Sequence, residues 1–379
     1  MTKMTDIKTF IKTASLVILM ITVQPLAANN SNTHQTIEEL EGVNQNKETT
    51  HHSTEEKEKF VPGEFIMHHI GDAYEWHILS YGDFHLSVPL PIIVYSKKSG
   101  LHFFMSNKLE HGHSYNGFKI AEHGEFEGKV IELIDGEEVL PLDISITKNV
   151  LSLFVSVFLL LLIFFSVAKR YKQNPDSAPK GLQSWMEPLI IFIRDDVAKS
   201  SIGEKQYLKF TPFLLTIFFF IFINNLMGLI PIFPFGANLT GNIAVTLILA
   251  LFTFAITTYK GNKTYWMHII NAPGVPWWLK FPIPLMPIVE IMGVFTKPFV
   301  LMIRLFANIT AGHIVALGFY SLIFIFGEMN VGLGYGVSVL SITFTIFMSF
   351  LELLVAFIQA YVFTLLSALY FGMAMEESH

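Results

Sequence analysis

Polar and apolar positions divide this chain into two kinds of segment. Between residues 61 and 147, runs such as HLSVPLPIIVY and KVIELIDGEEVLPLDISI alternate in character and are punctuated by Gly and Pro. That period of two predicts short strands in a small β-rich domain. Beyond it the alternation stops: residues 150–167, 211–230 and 241–258 are apolar at almost every position, long enough to cross a bilayer as helices. Two further apolar segments, 287–326 and 332–371, are each close to forty residues long. At 1.5 Å per residue that is about 60 Å of helix, against a hydrocarbon core of roughly 30 Å, so each segment either divides into two spans or tilts strongly. No Asp, Glu, Lys or Arg falls between Arg304 and Glu328 or between Glu328 and Glu352 to mark an internal turn. The favoured fold is therefore an all-α polytopic membrane protein with about five transmembrane helices, the last two a long tilted hairpin turning at Gly327-Glu328-Met329-Asn330, preceded by the β-rich domain.

The ends and connections add detail. Lys3, Lys8 and Lys12 precede an apolar stretch from Ala14 to Val23 and the small residues Ala27 and Ala28, the pattern of a signal peptide over residues 1–28; the apolar run is short for a first membrane anchor. Residues 29–60, with NNSNTHQ and KETTHHSTEEKEK, have little to bury and read as a disordered linker. Residues 182–199, LQSWMEPLIIFIRDDVAK, fit an amphipathic helix on the membrane surface or an ordinary soluble helix equally well.

Charge sets the orientation. The first span ends in Lys169, Arg170 and Lys172, which belong on the cytoplasmic side, as an exported N-terminus also requires. The connection PIFPFGANLT carries no Lys or Arg, whereas the next carries Lys260, Lys263 and Lys280. This places residues 61–147 outside the cytoplasm, residues 148–379 in the membrane as one domain, and the C-terminus in the cytoplasm. The 379 residues include no cysteine, which removes disulfides, thiolate metal sites and cysteine nucleophiles together. The net charge of −6 says little, because the ionisable residues concentrate before residue 150 and in short loops.

Charges inside the long segments are consequently informative. Glu290, Lys297, Arg304, His313 and Glu352 lie within them and Glu328 in the predicted turn. An intramembrane charge costs at least about 2.5 kcal/mol at the bilayer centre and usually serves a function. Glu290, Lys297 and Arg304 are spaced by seven, which returns to within about 20° of the same helical face, with a kink expected at Pro298. Asn308 continues that side one turn later, whereas His313 points to nearly the opposite one. Glu352 and Gln359 are again seven apart and share a face. Buried Glu and His can carry protons; Arg cannot release one and so acts as a barrier and as a partner for a carboxylate. Any single member of the set could be a structural bridge between helices, but together they are hard to explain by packing.

Here the residues resemble a known family. MIRLFANITAGH, preceded by PLMPIVEIMGVFTKPFVL and followed by FLELLVAFIQAYVFTLLSALYF, is similar to the a subunit of F-type ATP synthases, the stator half of the membrane proton turbine; INNLMGLIP and GNIAVTLILAL look like its earlier spans. The resemblance covers about residues 150–375. It implies that Arg304 is the stator arginine facing a rotor-ring carboxylate, that Glu290 lines the cytoplasmic-side half-channel, and that Asn308, His313, Glu352 and Gln359 belong to the other half-channel and the rotor interface. Asn225 and Asn242 match family polar positions more weakly, as does Lys297 within the stripe. Many bacterial members carry Glu where this chain has His313 and His where it has Glu352; the order here is that of the mitochondrial form. Gly228 stands where some members have Asp.

The implied protein is a non-catalytic, proton-translocating subunit of a bacterial inner membrane. Its partners would be the rotor c-ring, peripheral-stalk b subunits and the rest of the synthase in a lipid bilayer, with no nucleic acid and no cofactor. A self-contained ion channel or transporter and a Na⁺-coupled version of the same subunit are the alternatives. A membrane enzyme finds no phosphate-binding Gly loop, nucleophile elbow or HExxH motif to support it. The outer domain is rich in histidine (His68, His69, His77, His85, His102, His111, His113, His123), read as solvated surface residues in preference to a metal site.

Overall fold

The computed structural model describes residues 61–375 apart from 82–83, 123, 135, 174–177, 231 and 271–284. The expected signal peptide and linker lie outside the described residues, as does Lys280.

The N-terminal region begins with a helix absent from the sequence expectation, α1 (Pro62–Ile70). Pro62 sits in its first turn, where a missing N–H costs nothing. Its Phe65 ring meets Phe324 near the far end of the hairpin, centroids 6.4 Å apart. Strands then form three small antiparallel sheets: β1 (Glu75–Tyr81) with β2 (Phe84–Pro89); β3 (Pro91–Ser96) between β4 (Gly100–Met105) and β8 (Leu142–Asp143); and β6 (Val130–Ile134) between β5 (Phe118–Ile120) and β7 (Glu137–Val139). The alternation in PIIVYS works as predicted: Ile92, Val94 and Ser96 are buried while Tyr95 faces out. Ile92, Val94, Phe104, Leu109, Phe118 and Val130 make a core. Beside it the Ser96 hydroxyl donates to Glu132 at 2.8 Å, joining two sheets.

Five helices are long and apolar enough to cross a membrane, and the chain is a multi-pass membrane protein. They are α2 (Lys148–Gln173), α4 (Tyr207–Leu229), α5 (Ile243–Lys260), α7 (Leu285–Met329) and α8 (Val331–Met375). Between α2 and α4, helix α3 (Leu182–Ile191) continues through a π-helical stretch, Phe192–Lys199, and a last turn, Ser200–Ile202. Its buried Ile193, Val197 and Ala198 join the core that also holds α4 and α8, while Trp185 stays exposed. This segment is thus an integral part of the bundle with one outward side.

Helix α4 is the centre. Phe213, Leu214, Ile217, Phe218, Phe219, Phe220 and Ile221 are all buried, with Phe219 edge-on to Phe164 of α2 and Phe218 edge-on to Phe357 of α8. Helix α8 approaches through small residues, Ala356, Ala360, Thr364, Ser367 and Ala368, each no more than 1% exposed. Small side chains are what allow close helix contact where lipid removes the hydrophobic drive. Thr253 of α5 and Ser367 of α8 share a hydrogen bond of 3.1 Å.

The two forty-residue segments are single helices of 45 residues each, about 68 Å long at 1.5 Å per residue, and α7 runs uninterrupted through Pro298. Their corner is tighter than the predicted four-residue turn. Asn330 alone separates them, its side-chain oxygen accepting the Gly332 N–H at 2.8 Å. A Cβ on Gly334 would stand 2.8 Å from the Gly327 Cα, so the corner closes only on glycine. Short helix α6 (Lys263–Ile270) follows α5.

Candidate functional site

The periodicity of α7 fixes where its polar side chains go. Leu301, Met302, Leu305 and Ile309 are buried against the bundle, so Arg304 and Asn308 fall on the outward side, and both are exposed. That side is otherwise apolar: Val300, one turn before Arg304, is exposed on it, and the adjoining α8 exposes Phe347, Phe350 and Leu354. Among the described residues Arg304 makes no ion pair. A lone guanidinium on an apolar surface is costly unless another molecule supplies an anion.

Nine residues along, His313 has turned inward as its 3.6-residue period requires. Its Nδ1 lies 3.3 Å from Oε1 of Glu352 on α8, and both side chains are largely buried, at 18% and 11% exposure. Glu352 Oε1 has no hydrogen bond from protein. Two glycines make room for the pair. A Cβ on Gly312 would come within 2.8 Å of Glu352 Oε1, and one on Gly228 of α4 would be 3.7 Å from His313 Nε2. An imidazole nitrogen and a carboxylate oxygen at this separation can pass a proton between them.

Glu290 is half-buried near the start of α7, about 21 Å along the axis from Arg304 at 1.5 Å per residue. Burial raises the Tyr265 phenol on α6, and the Glu290 carboxylate adds to that rise. Lys297 aims its Nζ at the Tyr370 ring, 5.5 Å from the centroid. Tyr370 thus stands beside the polar stripe, a residue the sequence reading missed. The signal was present: Glu352 and Tyr370 are eighteen residues apart, about five full turns, and share the face of α8 that also holds Gln359. Gln359 is buried.

The two weaker asparagines have structural duties. Asn242 caps α5, its side-chain oxygen accepting the Ala244 N–H at 2.9 Å. Asn225 is 3% exposed and donates to the Ala356 carbonyl of α8 at 3.1 Å while accepting from the Thr240 hydroxyl at 2.6 Å. The first is a helix cap and the second a bridge between elements.

Fold and site together define a multi-pass membrane protein built on a long helical hairpin, with a permanent cation on its outer side and an acid–imidazole pair within. A family model described as ATP synthase A chain matches residues 150–372, and the chain belongs to that family. It is 45% identical over 249 residues to the ATP synthase subunit a of Chloroherpeton thalassium, covering 64% of this chain and 70% of the relative. It is 47% identical over 247 residues to the ATP synthase subunit a 2 of Chlorobaculum tepidum, 64% of this chain and 66% of the relative. With the ATP synthase subunit a 2 of Prosthecochloris aestuarii the identity is 44% over 283 residues, 71% and 83% of the two chains. Residues 65–147 match a family model described only as a domain of unknown function.

Proposed function

We propose that this chain is the proton-translocating a subunit of an F-type ATP synthase, non-catalytic by itself, working against a rotor c-ring with peripheral-stalk b subunits beside it in a bacterial inner membrane. The observation that carries the reading is the division of α7 into two sides: Arg304 and Asn308 outward on an apolar surface, His313 inward against Glu352. A rotor carrying carboxylates would supply the anion that Arg304 lacks. Among the alternatives, a self-contained channel gives no reason for an unpaired cation on the outer side of the bundle.

In this mechanism a proton from the outer side passes to the His313–Glu352 pair and then to a rotor carboxylate, which as a neutral acid can enter lipid. The ring turns, and the acid releases its proton into the half-channel containing Glu290, toward the cytoplasm. Arg304 cannot deprotonate, so it blocks a direct proton path and holds the ionised carboxylate between the two half-channels. Asn308 furnishes a polar contact on the rotor side, the buried Gln359 continues the polar face of α8 that holds Glu352, and Lys297 balances Glu290. In this topology the N-terminal domain, delivered by a signal peptide over residues 1–28 and a linker at 29–60, faces outward and the C-terminus faces the cytoplasm.

The test is ATP-driven acidification of inverted membrane vesicles carrying wild-type or Arg304→Ala protein at equal levels of assembled complex. Loss of pumping with assembly intact supports the reading. Normal pumping by Arg304→Ala would sink it and favour the self-contained channel, which would also conduct as a purified single chain.

A further inference from the structure

Between the outer domain and the membrane helices lies a cavity of about 550 Å³. Its walls come from the outer domain (Asp72, Tyr74, Lys129 and Asp143 among them), the start of α2 at Asn149, and the start of α5 with Leu239 just before it. The Tyr74 hydroxyl donates to Asp143. Asp72 accepts from the N–H groups of Ala73 and Asn149, each at 3.0 Å, and keeps solvent contact. The domain is held over this space: the Lys148 N–H donates to the Ala73 carbonyl at 2.8 Å, and Trp76 meets Phe233 edge-on at 5.4 Å.

A polar trail leads inward from this cavity. Asn149 lines it, is 6% exposed, and its Oδ1 finds no protein partner; Ser152 Oγ, one turn deeper on α2, is also buried without one. On the other wall Leu239 follows Asn238, whose Nδ2 is likewise buried and unpartnered. The preceding Ala237 carbonyl stands 3.4 Å from where a Cβ on Gly228 would be, and that same position is 3.7 Å from His313 Nε2. The trail ends on Glu352 Oε1, which pairs with His313 Nδ1 at 3.3 Å but accepts no hydrogen bond. Buried polar atoms without protein partners take their hydrogen bonds from water, and a string of them marks a wettable route.

We infer that residues 61–147 form an intake vestibule for protons: the outer half-channel opens through this cavity, passes Asn149 and Asn238, and reaches His313 and Glu352. This rests on the a-subunit reading and gives the otherwise unexplained outer domain a role. The ligand is hydrated protons, drawn by Asp72, Glu127 and Asp143, which outnumber Lys129 among the charged residues that line the cavity. A domain that were a mere appendage would need neither a solvent-reached carboxylate beside the α2 start nor, beneath it, two amides each with one buried atom left without a protein partner.

The chain has no cysteine, so introduced thiols report cleanly. Asn149→Cys and Val245→Cys place a thiol on two walls of the cavity, Gly228→Cys places one beside His313, and Leu101→Cys, 67% exposed on β4, places one outside. Right-side-out vesicles carrying the assembled complex are treated with the impermeant cation 2-(trimethylammonium)ethyl methanethiosulfonate. They are then inverted and assayed for ATP-driven pumping, each variant against its own untreated sample. The expected result is loss of pumping in Asn149→Cys and Val245→Cys, restored by a thiol reductant, with Leu101→Cys and the cysteine-free chain untouched. Should one cavity variant fail to assemble, the other gives the same reading. Unchanged pumping in the treated cavity variants overturns the vestibule; a block at Gly228→Cys in that case shows that protons reach His313 by another way and leaves the a-subunit reading standing.

Discussion

Helix α4 and the α7–α8 hairpin are similarly apolar, yet they occupy opposite environments. Of an 18-residue apolar stretch, 67% of positions are buried inside the protein in α4 but 11% in either hairpin helix. The first is a protein core; the second presents its Phe, Leu and Ile side chains outward along most of its length. Apolar side chains in a membrane gain little by leaving lipid, so which of them end up inside is settled by shape and by polar groups that need partners. In α4 those partners are internal: Thr216 donates to the Pro212 carbonyl and Asn225 ties down α8. In the hairpin the exposed Arg304 has to find its partner elsewhere.

This contrast can be broken or sharpened by mutation. The largest effect is expected for Arg304→Ala, which should abolish pumping while leaving the melting temperature of the purified subunit unchanged, because the side chain is exposed and makes no ion pair among the described residues. A matching drop in both would make the arginine a structural group. Next comes a pair of identical truncations. Phe218→Ala, fully buried in α4, should cost roughly 3 kcal/mol or more in thermal or denaturant stability. Phe350→Ala, 69% exposed on α8, should cost less than about 0.5 kcal/mol, while weakening co-purification of the rotor ring. Equal costs would erase the distinction between the two regions.

A third experiment exchanges the inner pair. His313→Glu and Glu352→His singly should each reduce pumping by roughly tenfold or more, since each destroys the acid–imidazole combination; the double exchange should recover much of it, because the 3.3 Å approach depends on the space left by Gly312 and Gly228. Asn225→Leu is smaller in scope: it strands the Ala356 carbonyl and Thr240 hydroxyl and should lower stability by about 1–3 kcal/mol, with a shift in melting temperature as the readout.

The smallest effect concerns the N-terminal domain. Protein crowding around Asp72 holds its carboxyl above the usual value of 3.8, opposed by the N–H donors of Asn149 and Ala73 and by the charge of Lys148. A carboxyl raised on folding favours the docked state when protonated, so its contribution is complete below the unfolded value and is lost as pH rises through the folded one. Asp72→Asn keeps an oxygen for the Asn149 N–H and removes that dependence. Protection of the first turn of α2 against hydrogen exchange should become less sensitive to pH across the acid range and slightly greater at neutrality. A stronger pH dependence in the variant would contradict this sign.

Much of the molecule was legible along the chain. Uniform apolar runs gave the five membrane helices and the long hairpin, because a backbone in lipid must satisfy its own hydrogen bonds within a helix. The seven-residue spacing and the nine-residue offset put Arg304 and His313 on opposite sides before any contact was known. Other features were hidden. Helix α1 was folded into the expected β-rich region, since nine residues carry little periodic signal. The π-helical Phe192–Lys199 has no sequence mark. The hydrogen bonds that make Asn225 a bridge and Asn242 a cap were also hidden, set by partners fifteen or more residues away in one case and two in the other.

The sequence by itself determined what is periodic and local: spans, helical faces, the position of a cation that cannot lose its proton. The tertiary structure alone decided what depends on distant chain meeting in space. It brought Glu352 to His313 across 39 positions, turned α4 inward and the equally apolar hairpin outward, and set the N-terminal domain against the helix ends so that Asp72 and Asn149 line one cavity. Periodicity is a property of neighbours, and it fixes direction around a helix axis; pairing is a property of packing, and it becomes defined only when the helices have chosen which faces to bury.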